Sequence, residues 1–446
     1  MPAVAPFRGL RYATLGPDIS RVIAPPYDVI SPPQAAALAQ RSPDNVVRLI
    51  LEPGQPEDGR CAVRYQRSAA AFHDWLSRGV LQRDPRPALY PLEQTFPTPD
   101  GRERVRRGVI AAVRLHDFAD GVVRPHENTL ESAVADRLAV LAQVRANLSP
   151  VFGIIDDPRA EVVQALQGAF APDPVAMGTT DDGTRHRLWR LEDPAAVAAV
   201  QRLLADRRVI IADGHHRYAA ALRFRDAVER ESPGLAEPAG HRYVLMYLLA
   251  ASDPGLVIYP THRLLKNLSG LRAEDFLARL ERWFRVAPIE EDIRRPTGRA
   301  WAISRLSEHL GKSTAFLLVT AADGRARLLT LREDADLSGL LLPADETLRE
   351  LDVTILHSVV MEGLLGLPKP SQDQAENLIY LRDAGEAVAR TVGGDCQAAF
   401  LLNPTPMWQV QAVAEAGMTM PVKSTWFHPK IPSGLVMREV DPKGPP

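Results

Sequence analysis

The stretch Val209 to Leu222, VIIADGHHRYAAAL, constrains the chain more than any other. Val209-Ile210-Ile211-Ala212 is a β-branched run that reads as a buried strand. Asp213-Gly214-His215-His216 makes the turn, and an alanine-rich helix is expected from Arg217 to about Glu231. A strand that hands over to a helix within a few residues belongs to a fold of sheets and helices packed in layers. The same alternation recurs along the chain. Helices are expected over Arg60 to Arg78, Leu130 to Asn147, Asp193 to Asp206, Ala273 to Phe284 and Thr354 to Leu365. Strands are expected over Ala88 to Thr95, Gly108 to Leu115, Val151 to Ile155, Leu188 to Leu191, Tyr243 to Ala251, Leu256 to Tyr259, Ala315 to Val319 and Ala326 to Leu331. The fold class is therefore α/β, in the mixed α+β sense.

The 446 residues correspond to about three domains, or two large ones. A soft boundary is placed near residue 290, dividing the chain into residues 1–290 and 291–446. Proline is abundant, 38 residues, and clusters in connections such as Pro25-Pro26 and Pro85 to Pro91, which read as rigid turns. Lys plus Arg (53) nearly balances Asp plus Glu (55), for a net charge of −2. That balance argues against a protein whose main work is to neutralise a nucleic-acid backbone. Two scattered cysteines, Cys61 and Cys396, make neither a disulfide framework nor a thiolate metal site. No run reaches the roughly 18 apolar residues of a spanning helix, and the N-terminus has no continuous apolar segment of a secretory signal. A cytoplasmic protein is expected.

The turn after Val209 to Ala212 concentrates chemistry. Gly214 permits a tight turn or a close approach of backbone. A helix N-terminus leaves N–H groups unpaired at the positive end of its dipole, which favours an anion such as phosphate. Arg217 would add a planar donor fork, and it stands at a helix end where its charge opposes the dipole unless an anion is bound. A second cluster is Arg124-Pro125-His126-Glu127-Asn128-Thr129. Thr129 could cap the next helix, with Glu131 in its first turn. A carboxylate beside a histidine could equally take a proton from a hydroxyl or hold a divalent cation. Tyr259-Pro260-Thr261-His262-Arg263 is a third such turn, and Lys423-Ser424-Thr425 with Lys430 a fourth, able to wrap a phosphate or to form a solvated basic strand. Ala24 to Val29 is a rigid turn bearing Tyr27 and Asp28. Gly311-Lys312-Ser313-Thr314 imitates the end of a phosphate-binding loop, but Leu306 stands where its first glycine is required, and an apolar strand follows instead of a helix.

Five segments together resemble the domain of unknown function 1015 family: APPYDVIS (Ala24 to Ser31), RPHENTL (Arg124 to Leu130), ADGHHRYAAAL (Ala212 to Leu222), PTHRLL (Pro260 to Leu265) and MPVKSTWFHPK (Met420 to Lys430). The D-G-H-H-R turn also resembles that of the ParB/sulfiredoxin-like superfamily, whose small kinases phosphorylate free serine. The resemblance implies a ParB/sulfiredoxin-like nucleotide- and substrate-binding core within residues 1–290, followed by a C-terminal α/β region of unknown role. It implies a nucleotide-dependent, kinase-like phosphotransferase for a small hydroxylated metabolite, serine or phosphoserine foremost, with ATP or ADP as donor and Mg²⁺ on the phosphates. Glu127, Asp213 and His126 would be catalytic, with Glu127 as base. Gly214, His215, His216, Arg217, His262, Arg263, Lys423, Ser424, Thr425 and Lys430 would bind nucleotide or phosphate, and Asp213 and Glu127 would hold the metal. The turn lacks the catalytic cysteine of sulfiredoxins, and no recognition helix accompanies it, so sulfinic-acid reduction and DNA binding are not expected. A non-catalytic ParB-like nucleotide-binding regulator and a metal-dependent phosphoserine phosphatase are the alternatives. Oligomeric state is left open.

Overall fold

The computed structural model describes residues 3–12, 16–51, 62–269, 272–367 and 376–446; Cys61 lies outside them. The chain forms two compact units. The first comprises residues up to Pro125, Thr129–Val257 and Pro429–Pro446; the second comprises His126–Asn128 and Ile258–His428. Residue 290 falls inside the second unit, just after the strand Phe284–Pro288. The division comes earlier because the strand His262–Leu265 is already committed to late strands, pairing with Leu378–Leu381 and Ala398–Leu402. Two of the five segments change unit within themselves. His126–Asn128 interrupts RPHENTL, and Pro429 and Lys430 end MPVKSTWFHPK in the first unit.

The first unit carries a nine-stranded mixed sheet among the described residues. A long hairpin, Tyr90–Pro97 with Glu103–Arg114, forms its antiparallel half. The other half places Val151–Ile155 between Tyr243–Ala250, parallel to it, and Val209–Asp213, antiparallel to it. These strands are nearly continuous apolar runs, as befits strands covered on both faces. Helices Glu131–Val144 and His215–Glu231 lie against one another, and Val209, Ile211, Tyr218, Phe224 and Val200 share one apolar core. Pro194 opens the helix Pro194–Ala205, while Asp193 accepts from the N–H of Ala196 at 2.8 Å. The helix start at Asp193-Pro194 matches the sequence expectation, and the aspartate cap adds to it.

Among the described residues the second unit holds a six-stranded sheet, antiparallel throughout, ordered Phe284–Pro288, Ala326–Leu331, Ala315–Thr320, Ala398–Leu402, His262–Leu265, Leu378–Leu381. Its core includes Leu264, Leu317, Val319, Ala399 and the buried free thiol of Cys396.

Three elements differ from expectation. The strand expected over Leu188 to Leu191 is Arg185–Leu188, where His186 and Leu188 point inward between exposed arginines; a buried histidine hides the alternation. The helix expected from Thr354 is α-helical only over Asp352–Ile355 and continues as a π-helix, Leu356–Leu364. Its wider turn lets every residue from Leu356 to Met361 be buried, His357 and Ser358 included. Thr129 does not cap its helix: Leu130 occupies the N-cap position, without a side-chain cap bond.

Candidate functional site

The strand Val209–Asp213 ends in a register irregularity, with Ile211 opposite Gly153 and Asp213 opposite Phe152. A bulge of this kind re-aims the side chain that follows. Gly214 then turns at φ +91°, and the helix starts at His215, two residues before the expected start. Glycine is required twice over. The backbone angle is one that L side chains rarely adopt, and a Cβ would sit 2.8 Å from a guanidinium nitrogen of Arg217. Arg217 therefore folds back across the turn. No side chain caps the helix start.

Asp213 sits between two cations. Arg217 Nη2 donates to its Oδ2 at 2.7 Å, and Lys430 Nζ donates to its Oδ1. Burial works to raise the Asp213 carboxyl, but Lys430 and then Arg217 outweigh it and hold the group well below the usual carboxylate range. One acid and two cations leave a net positive charge at the positive end of a helix dipole, an arrangement that favours an anion. Lys430 is fixed from behind. Gln94 Nε2 donates to the Lys430 backbone oxygen at 3.2 Å, and Arg106 Nη2 donates to that of Pro429 at 2.6 Å. Arg106 is fully buried, bonds the amide oxygen of Gln94 and lies 4.8 Å from the Phe152 ring centroid.

His216 Nε2 accepts the backbone N–H of Leu130 at 3.0 Å, so its Nδ1 carries the proton in the neutral ring and faces the Tyr27 hydroxyl at 3.4 Å. The N–H of the N-cap residue thus finds its partner in a side chain of another helix. The Arg137 guanidinium lies 3.8 Å from the Tyr27 ring centroid, and burial pushes the Tyr27 hydroxyl up to about 12. His215 is buried beside Asp213 and adds to the field that keeps it ionised.

In the second unit, Glu127 Oε1 accepts the backbone N–H of Lys423 at 2.7 Å, where the chain turns with φ +59°. Burial completely encloses His126, whose Nε2 lies 2.8 Å from Thr425 Oγ1 and whose ring meets Phe427 edge-on. Ser424 Oγ donates to the Pro421 oxygen. His262 Nδ1 accepts the N–H of Leu402 at 3.2 Å, and burial, helped by Arg263, pushes this imidazole down to about 4. Arg263 is buried too, donating to Thr261 and Lys423 carbonyls and to His357 Nε2 at 3.3 Å. Burial brings its guanidinium down to about 10.

Each unit thus gathers its share of the expected residues: Asp213, Gly214, His215, His216, Arg217 and Lys430 in the first, and His126, Glu127, His262, Arg263, Lys423, Ser424 and Thr425 in the second. Sequence reasoning passed over Gln94, Arg106 and Arg137, which sit in strands and a helix with no motif around them. Tyr27 was signalled only by its rigid turn. The metal expectation fits poorly, since both oxygens of Asp213 are engaged by cations. Among the described residues no three His, Cys, Asp or Glu side chains group around a metal position. Nor is any described helix long and apolar enough to cross a membrane.

A family model described as a protein of unknown function, DUF1015, matches residues 4–354. The chain belongs to that family. The segment Met420 to Lys430 lies beyond the matched span. No curated protein matches the sequence. Among solved structures, a conserved hypothetical protein from Pyrococcus furiosus is 15% identical, over 75% of this chain and 95% of that one, with a TM-score of 0.35. A free serine kinase in complex with AMP is 13% identical, over 75% and 91%, with a TM-score of 0.37. SbnI with a C-terminal truncation, from Staphylococcus aureus, is 11% identical, over 74% and 81%, with a TM-score of 0.32. These likenesses are distant and bring no residue role to this family member.

Proposed function

We propose that this protein is a nucleotide-dependent phosphotransferase acting on a small hydroxylated metabolite, with serine or phosphoserine the first candidate. One observation carries the reading: an uncapped helix start behind Gly214, backed by the net-positive trio Asp213, Arg217 and Lys430. Backbone N–H groups and a preorganised positive charge suit the phosphates of ATP or ADP, and charge stabilisation of this kind is most of what phosphoryl transfer asks of a protein. Lys430 is the mobile element in this scheme, exchanging the Asp213 carboxylate for a phosphate oxygen. Arg217 serves with its remaining donors, and Gly214 lets the phosphate approach the backbone. The first unit is then the nucleotide-binding part.

Glu127 is the proposed base for the acceptor hydroxyl, a role that rests on its place in the RPHENTL segment. Mg²⁺ is assigned to no protein ligand set, and it commonly travels with the substrate phosphates themselves. A regulator that binds nucleotide without turnover is the second reading, favoured by the way Pro150 and Asp213 tie down two donors of Arg217.

Phosphorus NMR of the protein with serine and ATP or ADP, with and without Mg²⁺, tests the proposal, alongside tubes of phosphoserine with and without AMP or ADP. Nucleotide-dependent formation or loss of phosphoserine is expected, abolished in Asp213→Ala. Release of phosphate from phosphoserine without nucleotide would make the protein a phosphatase. Silence in every tube with nucleotide still bound would make it the regulator. Arg217→Lys should weaken nucleotide binding about tenfold, because a fork of donors becomes a point charge.

A further inference from the structure

The second unit contains a cavity of about 460 Å³ whose lining residues all lie between Thr261 and Ser424. That volume is in the usual range for small-molecule sites, roughly 300–1,000 Å³. Two of its walls are unusual. Trp408, near the start of the helix Met407–Glu415, is 54% exposed although it lines the cavity. Gly311, at φ +70°, brings the loop before the strand Ala315–Thr320 beside the indole, so that a Cβ there would lie 3.9 Å from the Trp408 ring. The other wall carries Asp352. Burial pushes its carboxyl up to about 7, the Thr314 hydroxyl opposes the shift, and no cation contributes. The group therefore presents a donor and an acceptor side by side near neutral pH. A carboxyl left in this state on a cavity wall marks a candidate site.

The charges around the cavity decide the ligand class. Arg263, Lys312 and Arg349 stand against Glu346, Glu350 and an Asp352 that is about half-ionised at pH 7, so the lining carries only a fraction of a net charge and calls for neither a strong anion nor a cation. We propose that this cavity binds a small uncharged heteroaromatic molecule of nucleobase or nucleoside type, its face on Trp408 and its donor–acceptor edge on Asp352. The loop Gly311–Thr314 supplies the close backbone and the Thr314 hydroxyl that orients Asp352, a use unrelated to the phosphate-loop imitation in its sequence. This site does not depend on the phosphotransferase reading. A regulator and an enzyme could both carry it.

Calorimetric titration of the full chain at pH 7 with adenosine, cytidine and nicotinamide, and with inorganic phosphate as control, tests the proposal. Saturable binding is expected for at least one heterocycle and not for phosphate. Trp408→Ala removes an exposed side chain and should weaken that binding about tenfold, the scale of base–aromatic stacking. Asp352→Asn keeps the shape, and it should change the ranking among adenosine, cytidine and nicotinamide by exchanging a carboxyl edge for an amide. Asp213→Asn should leave this binding unchanged, which separates it from a nucleotide held at the Gly214 turn. Heterocycle binding that is equal in wild type, Trp408→Ala and Asp352→Asn would overturn the proposal, as would the absence of saturable binding for all three probes.

Discussion

The two clusters solve the same electrostatic problem in opposite ways. In the first unit a buried carboxylate, Asp213, is held by Lys430 and Arg217, leaving one positive charge in excess at an open helix end. In the second, Arg263 is buried with no carboxylate among the described residues bonded to it, and its donors end on the carbonyls of Thr261 and Lys423 and on the His357 ring. His126 and His262 are likewise absorbed into internal contacts. Carbonyl-bound cations and histidines held by internal contacts fix a backbone. A trio of one acid and two cations can exchange partners. On the proposed function, anion chemistry would belong to the first cluster and a mainly architectural role to most of the second, with Glu127 as the exception to be tested.

The largest effect should follow Asp213→Ala. It strands two buried cations against each other, and breaking a buried pair costs about 3–5 kcal/mol. Phosphotransfer should vanish, and thermal unfolding should move down by many degrees. The wild type should also show an acid limb that the variant lacks. Because the folded carboxyl titrates below its ordinary value of 3.8, its contribution is fully present above that pH and is lost as pH falls further. Equal acid limbs in both proteins would dissolve the contrast between the clusters. Glu127→Gln should follow, lowering turnover by roughly 10²-fold or more while nucleotide binding survives. Full turnover in that variant would make Glu127 a holder of the Lys423 turn and nothing else.

Much of the first cluster was legible in the chain, because strand, glycine and helix start are local features with their own composition. Gly214 could be assigned a turn from sequence alone, and its backbone angle bears this out. The bulge between Ile211 and Asp213 was not legible, since it depends on what Phe152 and Gly153 do in another strand. Nor was the service of Gln94 and Arg106 to Lys430, which spans more than 300 residues of sequence. Thr129 shows the opposite failure. A good local capping residue was passed over, and the N-cap position falls on Leu130, whose N–H is held by a histidine from a distant helix. The boundary near residue 290 missed for a related reason: composition does not reveal that Lys430 belongs with Asp213 and Met420 with His126.

His262 gives a test confined to the second cluster. An imidazole pushed from 6.5 to about 4 stays neutral in the folded state while the unfolded chain takes up a proton. Stability should therefore fall as pH drops from about 6.5 to about 4, with a slope of at most about 1.4 kcal/mol per pH unit from this residue. His262→Asn retains an acceptor for the Leu402 N–H and should flatten that part of the curve in urea unfolding. An unchanged slope would mean that His262 is protonated in the folded protein, and the architectural reading of the second cluster would lose its clearest member.

The smallest effect should come at Tyr27, whose two contacts can be separated. Its hydroxyl reaches His216 Nδ1 at 3.4 Å, near the limit of a hydrogen bond, so Tyr27→Phe should cost no more than about 1 kcal/mol. The ring keeps Arg137 at 3.8 Å in that variant, and Arg137 in turn donates to the Ile50 carbonyl. Tyr27→Leu removes the aromatic face as well and should cost about 0.5–2 kcal/mol more, the worth of a partly desolvated cation–π contact. Urea midpoints of the two variants measure the difference, and nucleotide titration shows whether it reaches the turn. If Tyr27→Phe weakened nucleotide binding as much as Arg217→Lys, the hydroxyl would belong to the anion site through His216. The boundary between the exchangeable trio and its rigid surroundings would then have to be drawn one residue further out.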